Sequence, residues 1–207
     1  MRLDTETGHL KATFSNRATS FSLAFVAQKL ELEKLGVLPF LAGFQMNAAL
    51  EGEGSFSGDL ANPSSIGGSA EVSLSKLSLD AQSIAGFQIP KSGISEAVAK
   101  IQADKGKAVI KTFRVGKPNA APSSATTQAP TADDLMASIT GDVVLGKSIE
   151  MSQLNLKVNF ALSETLMKSF VLLDALIGSG KQSNGSYSFS LTGPLYAPVA
   201  APLSEER

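Results

Sequence analysis

Few residues in this chain combine a reactive type with the spacing that chemistry needs. Gly178-Ser179-Gly180-Lys181 resembles the end of a phosphate-binding loop, but that loop needs a glycine five residues before Gly180 and a Ser or Thr after the lysine. Ala175 and Gln182 stand there instead, so the segment is expected to be a helix stop with a solvated lysine. His9, the single histidine, lies beside alternating apolar residues and reads as an exposed strand residue, and one histidine cannot build a His-based metal cluster within the chain. Glu31 with Glu33, and Glu51 with Glu53, share a side of their strands, a spacing that could set up a carboxylate pair for proton transfer. No nucleophile, oxyanion loop or ligand set accompanies them, and outer strand faces carry such residues routinely. Asp133-Asp134 reads as a solvated start to the strand that follows. No catalytic, metal or cofactor-binding residue is assigned, and an enzyme is not expected.

Composition narrows the classes further. Eighteen basic against 19 acidic residues give a net charge of −1 without a Lys/Arg cluster, so no electrostatic footprint for nucleic acid exists. With no cysteine, disulfides, thiol catalysis and thiolate metal sites are excluded. The first residues lack the apolar run of a signal peptide, and no stretch reaches the roughly 18 consecutive apolar residues of a membrane span. The chain is expected to behave as a soluble part of an anchored protein.

The positioning elements are mostly strands. Residues 9–15 and 19–28 alternate apolar and polar side chains, with Asn16-Arg17 as the turn of a hairpin. Residues 35–44 suit a loop against the core, and 46–60 resume alternation with Gly52, Gly54 and Gly58 on one face, which implies a sharp bend or a closely approaching backbone. A turn or loop over 62–68 precedes a strand over 70–79 whose phase slips at Ser75-Lys76, predicting a bulge. Asp104-Lys105-Gly106 joins strands over 94–103 and 108–115. The Pro/Ala/Thr-rich segment 117–134 is expected to be a flexible insertion within one domain spanning 1–198, followed by a disordered tail over 199–207. Strands over 135–145, 154–162 and 186–192 complete the pattern.

The one long interruption is a helix predicted over 165–177, capped by Ser163, favoured by Glu164 in its first turn and stopped by Gly178. Its apolar residues cover most of its circumference, more than one buried stripe requires. It either plugs the open end of a sheet or turns an apolar side to a membrane, lipid or partner. Leu166, Phe170, Leu173 and Ile177, along one face, are the candidates for closing the groove or for that contact.

The order Ile101-Gln102-Ala103-Asp104-Lys105-Gly106-Lys107-Ala108-Val109-Ile110-Lys111, then Ile139-Thr140-Gly141-Asp142-Val143-Val144-Leu145, then Asn155-Leu156-Lys157-Val158-Asn159-Phe160-Ala161-Leu162, an apolar helix, and Gly185-Ser186-Tyr187-Ser188-Phe189-Ser190-Leu191-Thr192-Gly193-Pro194 resembles type II secretion system protein N, in its AsmA-like version. The pair formed by residues 48–60 and 70–79 is similar to that family's glycine-rich strand followed by a Leu-Ser-Leu strand. The resemblance covers about the last three quarters of the chain, and the 117–134 insertion departs from it. It implies an accessory component of type II secretion in a Gram-negative bacterium, anchored in the inner membrane by a segment outside this chain and facing the periplasm. Other secretion components would be its partners. It also implies a mainly β fold, a strongly curved, mostly antiparallel sheet forming a groove or half-barrel, with one long apolar helix near the C-terminus. The alternative from the same resemblance is a lipid-binding or lipid-transfer module with an apolar groove. Repeated alternation, glycines on one face and a bulge independently suggest a curved sheet.

Overall fold

A computed structural model of the chain describes residues 2–5, 8–32, 46–84, 87–117, 133–169 and 177–204. Eleven strands form one antiparallel sheet in which neighbours in space are neighbours in sequence, apart from a small ribbon inserted after the fifth strand. They are β1 Arg2–Thr5, β2 Gly8–Arg17, β3 Ser20–Glu31, β4 Met46–Asp59, β5 Asn62–Leu79, β8 Ser92–Asp104, β9 Lys107–Val115, β10 Leu135–Val144, β11 Gln153–Leu162, β12 Tyr187–Pro194 and β13 Val199–Pro202. β6 (Gln82–Ile84) and β7 (Phe87–Ile89) make the ribbon.

The connections alternate in length. β2–β3, β4–β5, β8–β9, β10–β11 and β12–β13 are joined at one end of the sheet by tight turns or short loops, and the longer excursions leave from the other end. At the β8–β9 turn Lys105 and Gly106 both take positive φ, 48° and 76°, the left-handed pair whose twist matches a hairpin. The core gathers at the long-connection end. Leu30 is 1% exposed, and Ala48, Leu77 and Ile94 form a buried cluster backed by Leu32, Leu74, Val115 and Leu135.

The mainly β reading and the bulge hold: β4 and β5 slip register between Asn47 and Ala49, and Lys76 takes φ 55°. The expected strong curvature does not. The sheet is neither closed nor strongly curled, since β1 pairs only with β2 and β13 only with β12. The glycines make room for neighbours instead of bending the strands. A Cβ on Gly54 would lie 2.7 Å from a ring carbon of Phe25 across β3 and 2.8 Å from the Ala70 Cβ across β5. Gly141, at φ 126°, sits against the Asn155 carbonyl and Leu156 of β11.

The long apolar helix is also corrected. Among the described residues no helix reaches seven residues; α1 is described over Glu164–Ser169, and residues 170–176 of the expected helix lie outside the described residues. Its start follows the expected chemistry, because the Ser163 Oγ accepts from the Leu166 N–H at 3.3 Å and Lys168 bridges back to Glu164 at 3.2 Å. Gly178 opens a 3-10 turn, Gly178–Gly180, where a left-handed stop was expected. Two other boundaries move. Asn62, expected in a loop, begins the 18-residue β5, and Val199–Pro202, expected in a disordered tail, forms the edge strand β13. Of the 35–44 loop and the insertion, residues 35–44 and 118–132 lie outside the described residues.

Candidate apolar binding face

Strict alternation combined with aligned registers sorts the sheet into two chemically opposite faces. One cross-strand row runs Ala12, Phe25, Gly54, Ala70, Ile101, Ile110, Gly141, Leu156, Leu191, Ala200, from β2 to β13 without a polar side chain. The row beside it runs Thr13, Ala24, Ser55, Ser69, Gln102, Val109, Asp142, Asn155, Thr192, Val199 and is mostly polar. A shift of one residue would exchange the faces, so the pattern pins the register of every hairpin.

The apolar face is half-buried over most of its extent, and among the described residues α1 lies against the small β7 strand and reaches this face at Tyr187. Toward the core end of this face, Val72, Leu74, Ile94, Phe113, Val115 and Leu135 line a groove of about 430 Å³ with no polar lining. Near β11 and β12, aromatic rings thicken the face. Phe160 stacks on Tyr187 at 5.3 Å and on Phe189 at 6.2 Å, and Tyr187 is 1% exposed with its hydroxyl 3.6 Å from the Met167 sulfur of α1.

The opposite face carries an ionic trough of about 570 Å³ lined by Val26, Glu53, Glu71, Lys100 and Lys111 among others. Glu53 stands directly opposite Glu71, and Lys100 bridges Glu71 at 2.6 Å with both side chains more than half exposed. In water such a pair contributes little net stability.

The groove mouth is fastened by a device that distant sequence positions build. Asp133 accepts from the Ser95 N–H at 2.6 Å, the Ser95 hydroxyl at 2.7 Å and the Lys117 N–H at 2.6 Å. Asp134 accepts from the Gly93 N–H at 2.9 Å and the Ser163 hydroxyl at 2.8 Å. Together they tie the start of β8, the end of β9 and the end of β11 to the start of β10. Burial pulls the Asp133 carboxyl upward, but the Lys117 and Ser95 hydrogen bonds and the Lys117 ammonium outweigh it and hold its pKa below the ordinary aspartate value. The expected solvated role for these two aspartates is thus corrected. No local pattern could have revealed a partner about 40 residues upstream.

Of the residues singled out in the sequence, Leu166 is 8% exposed and turned into the core end, and Ile177 is half-buried. Phe170 and Leu173 lie outside the described residues. His9 is exposed on β2, between Asp4 and Gln28 in register. Gly180 is buried beneath the Phe189 ring, where any side chain would collide, so its glycine serves packing and not phosphate. Glu51 and Glu53 are exposed on the polar face. Among the described residues no group of three or more His, Cys, Asp and Glu could hold a metal ion. No described helix is long and apolar enough to cross a membrane. Comparison with protein-family models, with curated proteins and with solved structures finds no match for this chain.

Proposed function

We propose that this chain is a non-catalytic module that shelters apolar chains, lipid acyl chains above all, against one face of its sheet. The carrying observation is the apolar row that crosses ten strands from Ala12 to Ala200 without interruption. An antiparallel sheet ordinarily buries such a face, and here it stays only half-buried over most of its extent among the described residues. The groove along Val72, Leu74, Phe113 and Val115, about 430 Å³, falls in the size range of small-ligand sites and offers an acyl chain no polar group to desolvate. The resemblance to the secretion family adds a setting, the periplasmic side of a bacterial inner membrane, and that setting rests on the order of sequence motifs.

A second reading, an assembly component of the secretion apparatus that pairs through a sheet edge, draws on one observation. β2 continues past the last register partner of β1 at Lys11, so residues 13–17 have an outer side with no partner strand among the described residues. Such edges accept an added strand. At the other edge, Pro198 just before the short β13 and Pro202 as its last residue blunt it.

Binding of a fluorescent fatty acid to the delipidated protein tests the first reading. Stoichiometric binding is expected, and Phe113→Asp should abolish it while leaving the far-UV circular dichroism unchanged. An absence of binding by the wild-type chain would overturn the reading.

A further inference from the structure

The large apolar side chains that stand exposed among the described residues are not scattered. Seven of the eight, Phe14, Leu60, Val144, Met151, Leu195, Tyr196 and Val199, lie at or near the tight-turn end of the sheet, and Val26 alone lies mid-strand. Three of them, Met151, Leu195 and Tyr196, meet at one corner where the β10–β11 and β12–β13 connections come together, and Val144 and Val199 stand beside it on the polar face. Tyr196 is 71% exposed, Val199 60% and Met151 57%.

This exposure is built into the backbone. The Leu195 N–H donates to the Ser152 carbonyl at 2.8 Å and the Tyr196 N–H to the Glu150 carbonyl at 3.1 Å, which lashes one connection to the other. The Ala197 N–H closes the β12–β13 turn on the Pro194 carbonyl at 3.0 Å, and the Met151 N–H closes its own turn on Ser148 at 3.1 Å. Ser152 is buried, and its hydroxyl accepts from the Gly146 N–H at 3.2 Å. These bonds fix the path of both connections, along which Met151, Leu195 and Tyr196 stand exposed.

We propose that this corner dips into the surface of a lipid bilayer and is the port through which an acyl chain passes between bilayer and sheet face; this rests on the lipid-sheltering reading above. Continuity with the apolar face selects the bilayer as occupant. Val143, Leu154 and Gly193 form the apolar row immediately behind the corner, so a chain leaving a bilayer here meets the face without crossing water. The residue types agree, because Tyr and Met with Leu and Val suit the boundary between headgroups and acyl chains, where a phenol keeps its hydroxyl wet. Exposed Lys147 and Glu150 offset each other in charge, so contact requires no anionic lipid.

The chain contains no tryptophan, which allows a single-tryptophan reporter. Tyr196→Trp, mixed with phosphatidylcholine vesicles carrying brominated acyl chains, should show a blue-shifted, quenched emission, whereas Val26→Trp on the polar face should show neither. The triple variant Met151→Ser, Leu195→Ser, Tyr196→Ser should lose about a hundredfold in vesicle partition, since each side chain forfeits about half of a full apolar burial. Its fatty-acid binding in vesicle-free solution should be unchanged, which also shows that it folds. Tyr196→Trp emission indifferent to vesicles would overturn the corner's role, and so would a corner covered by a second copy, seen as a dimer that the triple variant dissolves. If vesicles bind but no fatty acid does, the sheltering reading and the port fail and only bilayer contact stands; if fatty acid binds but vesicles do not, the sheltering reading stands and the corner fails.

Discussion

The two ends of the sheet treat the same residue types in opposite ways. At the long-connection end Leu30 is 1% exposed and Leu166 8%, and two aspartates tie the strand ends together. At the tight-turn end Leu60 is 53% exposed and Tyr196 71%, held outward by main-chain hydrogen bonds. Hydrophobicity alone does not decide burial here; position along the sheet does. Stability is therefore concentrated at one end, and apolar surface available for contact at the other.

Truncation should expose that asymmetry most clearly. Leu30→Ala is expected to cost about 3 kcal/mol, because transfer and cavity terms add at a site with no room to collapse, while Leu60→Ala should stay within about 0.5 kcal/mol. Urea denaturation of both variants measures the contrast, and equal losses would break it. Next in size is Gly54→Val, expected to cost about 1–3 kcal/mol by forcing apart Phe25 and Ala70. The loss should shrink in a Phe25→Ala background if the ring is what the glycine accommodates.

The aspartate fastening makes a pH-dependent difference. The folded-state pKa of Asp133 is depressed, so its contribution is present above the unfolded value of about 4 and is lost as pH falls through the lower folded value. Asp133→Asn should cost about 1 kcal/mol near neutrality, after discounting for solvent screening, and should flatten the loss of stability below about pH 4. Melting temperatures of the two proteins across that range test it, and parallel curves would count against the fastening. The smallest effect should come from Lys100→Met on the polar face, where an exposed ion pair contributes no more than about 0.5 kcal/mol.

Much of this architecture was legible in the sequence, for a physical reason: a sheet with one apolar face must alternate, and alternation over nine residues in 154–162 leaves no other regular structure. What escaped depended on partners remote in sequence. The glycines of β4 looked like bending points because Phe25 and Ala70, which fill the space above Gly54, lie on other strands. Asn62-Pro63-Ser64-Ser65 looked like a loop, yet the turn is complete at Leu60-Ala61, where the Asp59 carboxylate accepts from the Ala61 N–H at 2.8 Å. Two prolines and two alanines within 198–202 looked like a tail, but the edge of β12 provides a template that draws Val199–Pro202 into a strand. Of the candidate residues on the 165–177 segment, Leu166 is buried where its spacing left groove closing and partner contact both open, whereas the exposed corner at Met151, Leu195 and Tyr196 carries no periodic signal. Only the meeting of two connections reveals it.

On the proposed function, bound lipid completes the apolar face. Native mass spectrometry of the whole chain, released gently from its expression host, tests it most directly. A protein peak accompanied by adducts of phospholipid mass is expected, and the adducts should disappear in Phe113→Asp. A lipid-free monomer, with bare protein mass under the gentlest conditions and no phospholipid in an organic extract, would contradict it.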